Sequence, residues 1–133
     1  MWFRSLLAAA ALLGAVATTS AKECPARDAA LEAREEVIRR APTCRRALRT
    51  MEACAYGASG DVALAAVVTA KCEGDFLSHL DRRERQAYDR RVGRCRRKYR
   101  NEIGTMYRSL EAFCRAGVAR DFSDQYRKAR VRK

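Results

Sequence analysis

Residues 95 to 114 read CRRKYRNEIGTMYRSLEAFC. A cysteine stands at each end, Tyr99, Ile103, Met106 or Tyr107 and Leu110 recur between them at steps of three and four, and Gly104 interrupts the middle. Such spacing places apolar side chains along one helical face. The same rhythm begins upstream at Tyr88 and Val92 and continues past Cys114 through Val118, Phe122 and Tyr126. A straight helix of that length would extend about 60 Å, more than a domain of this size covers. The chain must bend, and Gly104 is the favoured position, ahead of Gly93 and Gly117.

Upstream of this stretch the pattern is also helical. From Arg27 to Ala41, Ala30, Leu31, Val37, Ile38 and Ala41 share a face opposite Glu32, Glu35 and Glu36, and Pro42 forces the preceding residue out of helical geometry. Thr43 is placed to cap a second helix carrying Cys44, Ala47, Leu48, Met51 and Ala55 on one face, with Gly57 as its stop. Ser59 or Asp61 then caps VALAAVVTAK, residues 62 to 71, which is apolar on nearly every side and reads as a buried helix closed by Cys72. Glu73-Gly74-Asp75 reads as a break, followed by a short apolar turn at Phe76, Leu77 and Leu80. Asp81 and Glu84 have capping-box spacing at the start of the long periodic element. The fold class is therefore all-α, a small helical bundle or stacked helical hairpins.

The N-terminus has a different character. Arg4, an apolar run from Leu6 to Ala17 and the small residues Thr19-Ser20-Ala21 have the form of a cleavable export signal, residues 1–21. The run is too short to cross a bilayer, and no later segment approaches the length required, so no transmembrane segment is expected after cleavage. Residues 22–122 then form a single domain, and 123–133 form a basic tail expected to fray. The whole chain carries 28 Lys or Arg against 16 Asp or Glu, and losing Arg4 lowers the net charge from +12 to +11.

All six cysteines, Cys24, Cys44, Cys54, Cys72, Cys95 and Cys114, follow the signal. An even count in an exported chain reads as a disulfide framework, here about three bridges, and places the protein in the periplasm or outside the cell. Cys44 and Cys54 on one helix stand about 15 Å apart, beyond the reach of about 7 Å that a bridge allows. Cys95 and Cys114 would stand about 28 Å apart on a straight helix, so their pairing depends on the bend. The preferred arrangement joins Cys44 and Cys54 each to a cysteine of the second half. No metal site is expected, because no pair has CxxC spacing and His79 is the only histidine.

Residues 84 to 120 resemble the LprI-type lysozyme-inhibitor family of exported helical domains (its N-terminal domain). The resemblance is carried by Glu84-Arg85, by Arg91 four residues before Cys95, by Gly104-Thr105, by Cys114 ten residues after the glycine, and by Arg120. The chain departs from the family pattern at Glu84, where the family has glutamine, and at Ala87, where it has tryptophan; the Leu-Asn pair expected after Cys54 is absent. The resemblance implies an exported helical fold and an inhibitor that binds a lysozyme-like enzyme.

Catalytic chemistry finds little footing. There is one histidine, no GxSxG, HExxH or phosphate-cradling glycine loop, and the adjacent Glu35 and Glu36 do not converge on one substrate. No catalytic residue, cofactor or enzyme activity is expected. Arginine density is the stronger lead: residues 81 to 100 hold ten Lys or Arg and three acids. With Tyr88, Val92, Cys95 and Tyr99 inward, Arg83, Arg90, Arg94 and Arg97 project outward as a candidate site for anions or an acidic protein surface. The plainer account of such a face is solubility. Nucleic acid would suit the ridge inside a cell, but export argues against it. Two readings follow: an envelope binding protein acting as an inhibitor of a lysozyme-like enzyme, or an arginine-rich protein docking on anionic envelope components such as lipid phosphates or acidic polymers.

Overall fold

The structure, a computed structural model, describes residues 23 to 132, so the export signal assigned to 1–21 lies outside the described residues. Five helices occur in order: α1 (Leu31–Arg39), α2 (Cys44–Cys54), α3 (Asp61–Phe76), α4 (Arg82–Tyr99) and α5 (Thr105–Val131), with a 3₁₀ turn at Leu77–His79 between α3 and α4. No strand occurs among the described residues, and the class is all-α. Three disulfides staple it: Cys24–Cys54, Cys44–Cys72 and Cys95–Cys114.

Local signals explain most helix ends. Thr43 accepts the Arg46 amide at 3.1 Å and caps α2, and Asp81 and Glu84 exchange backbone and side-chain bonds in a complete capping box that opens α4. α1 is shorter than the amphipathic pattern, starting only at Leu31, because Asp28 takes the Ala30 amide at 2.8 Å and holds the chain in a turn before it. Gly104 sits between α4 and α5 with φ +125, a conformation that residues with a Cβ rarely adopt. The bend is there, and it brings the Cα atoms of Cys95 and Cys114 to 5.7 Å, a pairing that an uninterrupted helix would forbid.

α3 is the hub, packing against α1, α2 and α5. Its inner side buries Leu64, Ala65, Val68, Cys72 and Phe76, so the helix runs through Cys72 without stopping. The break expected at Glu73-Gly74-Asp75 does not occur. Both acids have partners there: Glu73 accepts the Tyr88 hydroxyl at 2.7 Å, and Asp75 accepts the Ser123 hydroxyl. A fully buried Asp61 opens the helix, accepting the amides of Tyr56 and Gly57 and, at 2.6 Å, the hydroxyl of Ser109. Asp61 thus closes the turn before α3 and does not cap the helix's own amides.

The two serine bonds define how α5 lies. Ser109 to Asp61 and Ser123 to Asp75 are each 48 residues apart in sequence, so α3 and α5 run parallel and in one register, with α4 the antiparallel return between them. Between the two bonds α5 offers Ala112, Ala116 and Ala119 to α3, all buried. Ser109, Ala112, Ala116, Ala119 and Ser123 make a seam of small residues at alternating steps of three and four, which lets the two backbones approach closely. The larger residues of α5 pack beside and beyond this seam. Phe122 closes an aromatic cluster with Phe76 (centroids 5.6 Å) and Tyr88 (5.0 Å), and Tyr126 stacks on His79 at 5.0 Å.

Two further expectations need correction. Cys54 pairs with Cys24, not with a cysteine of the second half, because the irregular segment before α1 returns along the end of α2; Tyr56 holds it there by donating its hydroxyl to the Ala29 carbonyl at 2.6 Å. The segment after Phe122 is helical in the structure, not an irregular tail: α5 continues to Val131, with Ser123 buried and Tyr126 packed on the core and residues 127 to 131 exposed. Ser123, bonded to Asp75, and Tyr126, stacked on His79, anchor the first turn of this segment where composition alone predicts loss.

Candidate anion-binding face

α4 is an expensive helix to make from its own residues. Its cations crowd one another at helical spacing, as Arg90 and Arg94 do at i,i+4, and each such like-charge pair opposes the helix by about 0.2–0.5 kcal/mol. The capping box, the buried Tyr88 and the Cys95 disulfide supply the stability that the outer face does not. Part of the charge is well placed for the helix itself, since Arg96, Arg97 and Lys98 in the last turn face the negative end of the helix dipole. Arg83 in the first turn and Arg90 in the middle gain nothing from the dipole.

Arg83, Arg90, Arg94 and Arg97 are all exposed. Their steps of seven, four and three return to nearly the same angle on an α-helix, so they form one line about 21 Å long. Tyr88 and Cys95 are buried and Val92 and Tyr99 half-buried on the opposite side, as the sequence predicts. Among the described residues the ion pairs use Arg39, Arg40, Arg45, Arg91 and Arg120 as bases, and none of the four stripe arginines takes part.

Many of the acids are engaged elsewhere, and the exposed Asp89 of α4 forms no ion pair with any of the four. Asp61, Glu73 and Asp75 are bound internally, and Asp81 and Glu84 are consumed by the capping box. Glu35 and Glu36 pair with arginines of their own helix, and hydrogen bonds from Arg39 and then Arg40 hold Glu36 below its ordinary value. Asp121 and Asp124 serve Arg91, Arg120 and Arg45. The α4 stripe carries four exposed arginines outside these pairs.

One basic residue of α4 behaves differently. Arg91 donates to Asp121 at 2.7 Å and lies over the Phe122 ring at 5.5 Å, tying α4 to α5. The residues that carry the resemblance to the inhibitor family have similar structural work: Glu84 caps, Arg91 and Arg120 meet at Asp121, and Cys95 and Cys114 close the hairpin that Gly104 turns. His79 is half of an aromatic stack, and among the described residues no three metal-ligating side chains gather. Reasoning from periodicity missed the small-residue seam, the buried Asp61 and the half-buried Glu73 and Asp75. The two equal spacings, Asp61 to Asp75 and Ser109 to Ser123, were the signal available.

A cleft of about 400 Å³ runs between α3 and α5, floored by Val62, Ala66 and Ala112 and rimmed by Arg108, Glu111 and Arg115. Its mixed charge distinguishes it from the α4 stripe. Among the described residues no helix is long and apolar enough to cross a membrane. No protein-family model, no curated protein and no solved structure matches the chain.

Proposed function

We propose that this is an exported, non-enzymatic binding protein of the cell envelope that docks on anionic envelope material through Arg83, Arg90, Arg94 and Arg97. The observation that carries the reading is the line of four exposed guanidinium groups without an acidic partner among the described residues. A guanidinium grips phosphate or carboxylate through two parallel hydrogen bonds, and a row of them suits a ligand that repeats its anionic groups. Export rests on the signal at residues 1–21 and accords with three disulfides, which persist in oxidising compartments. A disulfide-closed hairpin at the family spacing supports the second reading, inhibition of a lysozyme-like enzyme. That reading must overcome repulsion wherever the enzyme is itself basic.

The test is retention of the oxidised protein on a polyphosphate resin and on immobilised lysozyme, across a salt gradient, for the parent and for the variant Arg90→Gln/Arg94→Gln/Arg97→Gln. The expected result is salt-sensitive retention of the parent on polyphosphate, with the variant eluting at much lower salt. Retention on lysozyme with loss of lysis, unaffected by the triple change, would replace this reading with the inhibitor one.

A further inference from the structure

Three of the large apolar side chains exposed in this protein lie together at one end of the α4–α5 hairpin. Ile103 is 94% exposed, Met106 54% and Leu110 40%. Sequence periodicity assigns Ile103, Leu110 and either Met106 or Tyr107 to the core stripe; with the turn at Gly104, Tyr107 is half-buried and Ile103, Met106 and Leu110 are exposed instead. Met106 and Leu110 are one helical turn apart on α5, and Ile103 precedes them in the turn. Behind them Tyr99 and Tyr107, both half-buried, bring their rings to 6.4 Å, with the Lys98 ammonium 5.2 Å from the Tyr99 ring.

The surroundings of this apolar tip are cationic. From residue 94 to 108 there are six Lys or Arg, Arg94, Arg96, Arg97, Lys98, Arg100 and Arg108, and one acid, Glu102. All six cations are exposed. Arg94 and Arg97 are also the end of the α4 stripe, so the tip and the stripe are continuous. The Cys95–Cys114 bond joins the two arms of the hairpin and limits how far they can splay.

We propose that this tip is a wedge that enters an anionic phospholipid bilayer at the headgroup level, seating the protein on a membrane surface. The inference rests on the anion-docking reading above and names its partner. Exposed apolar side chains beside a polybasic surface are the combination that peripheral binding uses: burial of the apolar groups adds to attraction by anionic lipids. Ile103 and Met106 reach the acyl boundary, Tyr99 and Tyr107 match the interface that tyrosine favours, and the arginine stems lie along the apolar zone while their heads meet phosphates. A soluble polyanion would engage the arginines equally well but has no use for the apolar tip. A second copy of the chain would bring two cationic tips together, which their charge opposes.

The experiment measures sedimentation of the oxidised protein with phosphatidylcholine vesicles, with and without phosphatidylglycerol, beside the polyphosphate resin. It compares the parent with Ile103→Ser/Met106→Ser, whose exposed sites leave folding intact, and with Ile103→Trp. The double serine variant is expected to lose about tenfold or more in affinity for anionic vesicles while keeping the parent's retention on polyphosphate. The tryptophan variant of residues 22–133 is expected to show blue-shifted emission quenched by brominated lipid, with the parent over the same residues, which lacks tryptophan because Trp2 leaves with the signal, as the blank. Unchanged vesicle binding by the serine variant, with no quenching at position 103, overturns the wedge and leaves the docking stripe standing. A parent that binds neither vesicles nor resin at low salt overturns both. A dimer that the serine variant converts to monomer, with no vesicle binding by either, assigns the tip to self-association and overturns the lipid partner.

Discussion

The α3–α5 seam and the outer face of α4 are built from opposite materials. The seam is built of small residues and its polar ends are paired: Ala112, Ala116 and Ala119 lie buried between two hydroxyl–carboxylate bonds. The α4 face is long, charged and exposed, and its arginines gain little from the fold. Stability and availability for binding are therefore separated in space. A surface that costs the helix stability can be maintained because capping, a disulfide and the aromatic cluster hold α4 from the other side.

Substitutions in the two regions should act on different measurements. Phe76→Ala removes the ring shared by Tyr88 and Phe122 and is expected to cost about 3–5 kcal/mol in urea unfolding, with anion retention of the remaining folded protein unchanged. Ala116→Leu tests the seam more directly: forcing a larger side chain between α3 and α5 is expected to cost about 1–3 kcal/mol. If this variant were as stable as the parent, the close approach of the two helices would not hold.

Tyr88 sharpens the comparison through pH. Burial first, and then the hydrogen bond and charge of Glu73, hold its phenol well above the ordinary 10.0. A group whose folded value is raised contributes stability that is fully present below its unfolded value and lost as pH rises through its folded one. The parent should therefore lose stability above pH about 10 more steeply than Tyr88→Phe, which shows as diverging urea midpoints. Equal slopes would remove Tyr88 from the alkaline transition. The smallest expected stability change belongs to Arg90→Gln/Arg94→Gln/Arg97→Gln, within about 0.5 kcal/mol and in the stabilising direction as like charges separate. A large destabilisation would make the stripe part of the scaffold.

Legibility in the sequence followed the range of the interactions. The Thr43 cap, the Asp81–Glu84 box and the outward direction of Arg83, Arg90, Arg94 and Arg97 depend on neighbours within one or two turns, and residue spacing is enough to read them. Cys54 with Cys24, the continuation of α3 past Glu73, and the helical tail beyond Phe122 depend on contacts from distant segments. Periodicity found an apolar stripe through Ile103, Met106 or Tyr107 and Leu110, but with the bend Ile103, Met106 and Leu110 are exposed and Tyr107 is half-buried.

By itself the sequence determined an all-α, disulfide-linked chain with a basic outer face on α4, because helix period, capping chemistry and cysteine count are local or additive properties. Only the tertiary structure decided which cysteines meet, that α3 and α5 lie parallel at a register of 48 residues, and that the Gly104 turn carries apolar side chains into the open. Those outcomes depend on where whole helices lie relative to one another. That placement is set by the summed packing of many side chains, which no single stretch encodes.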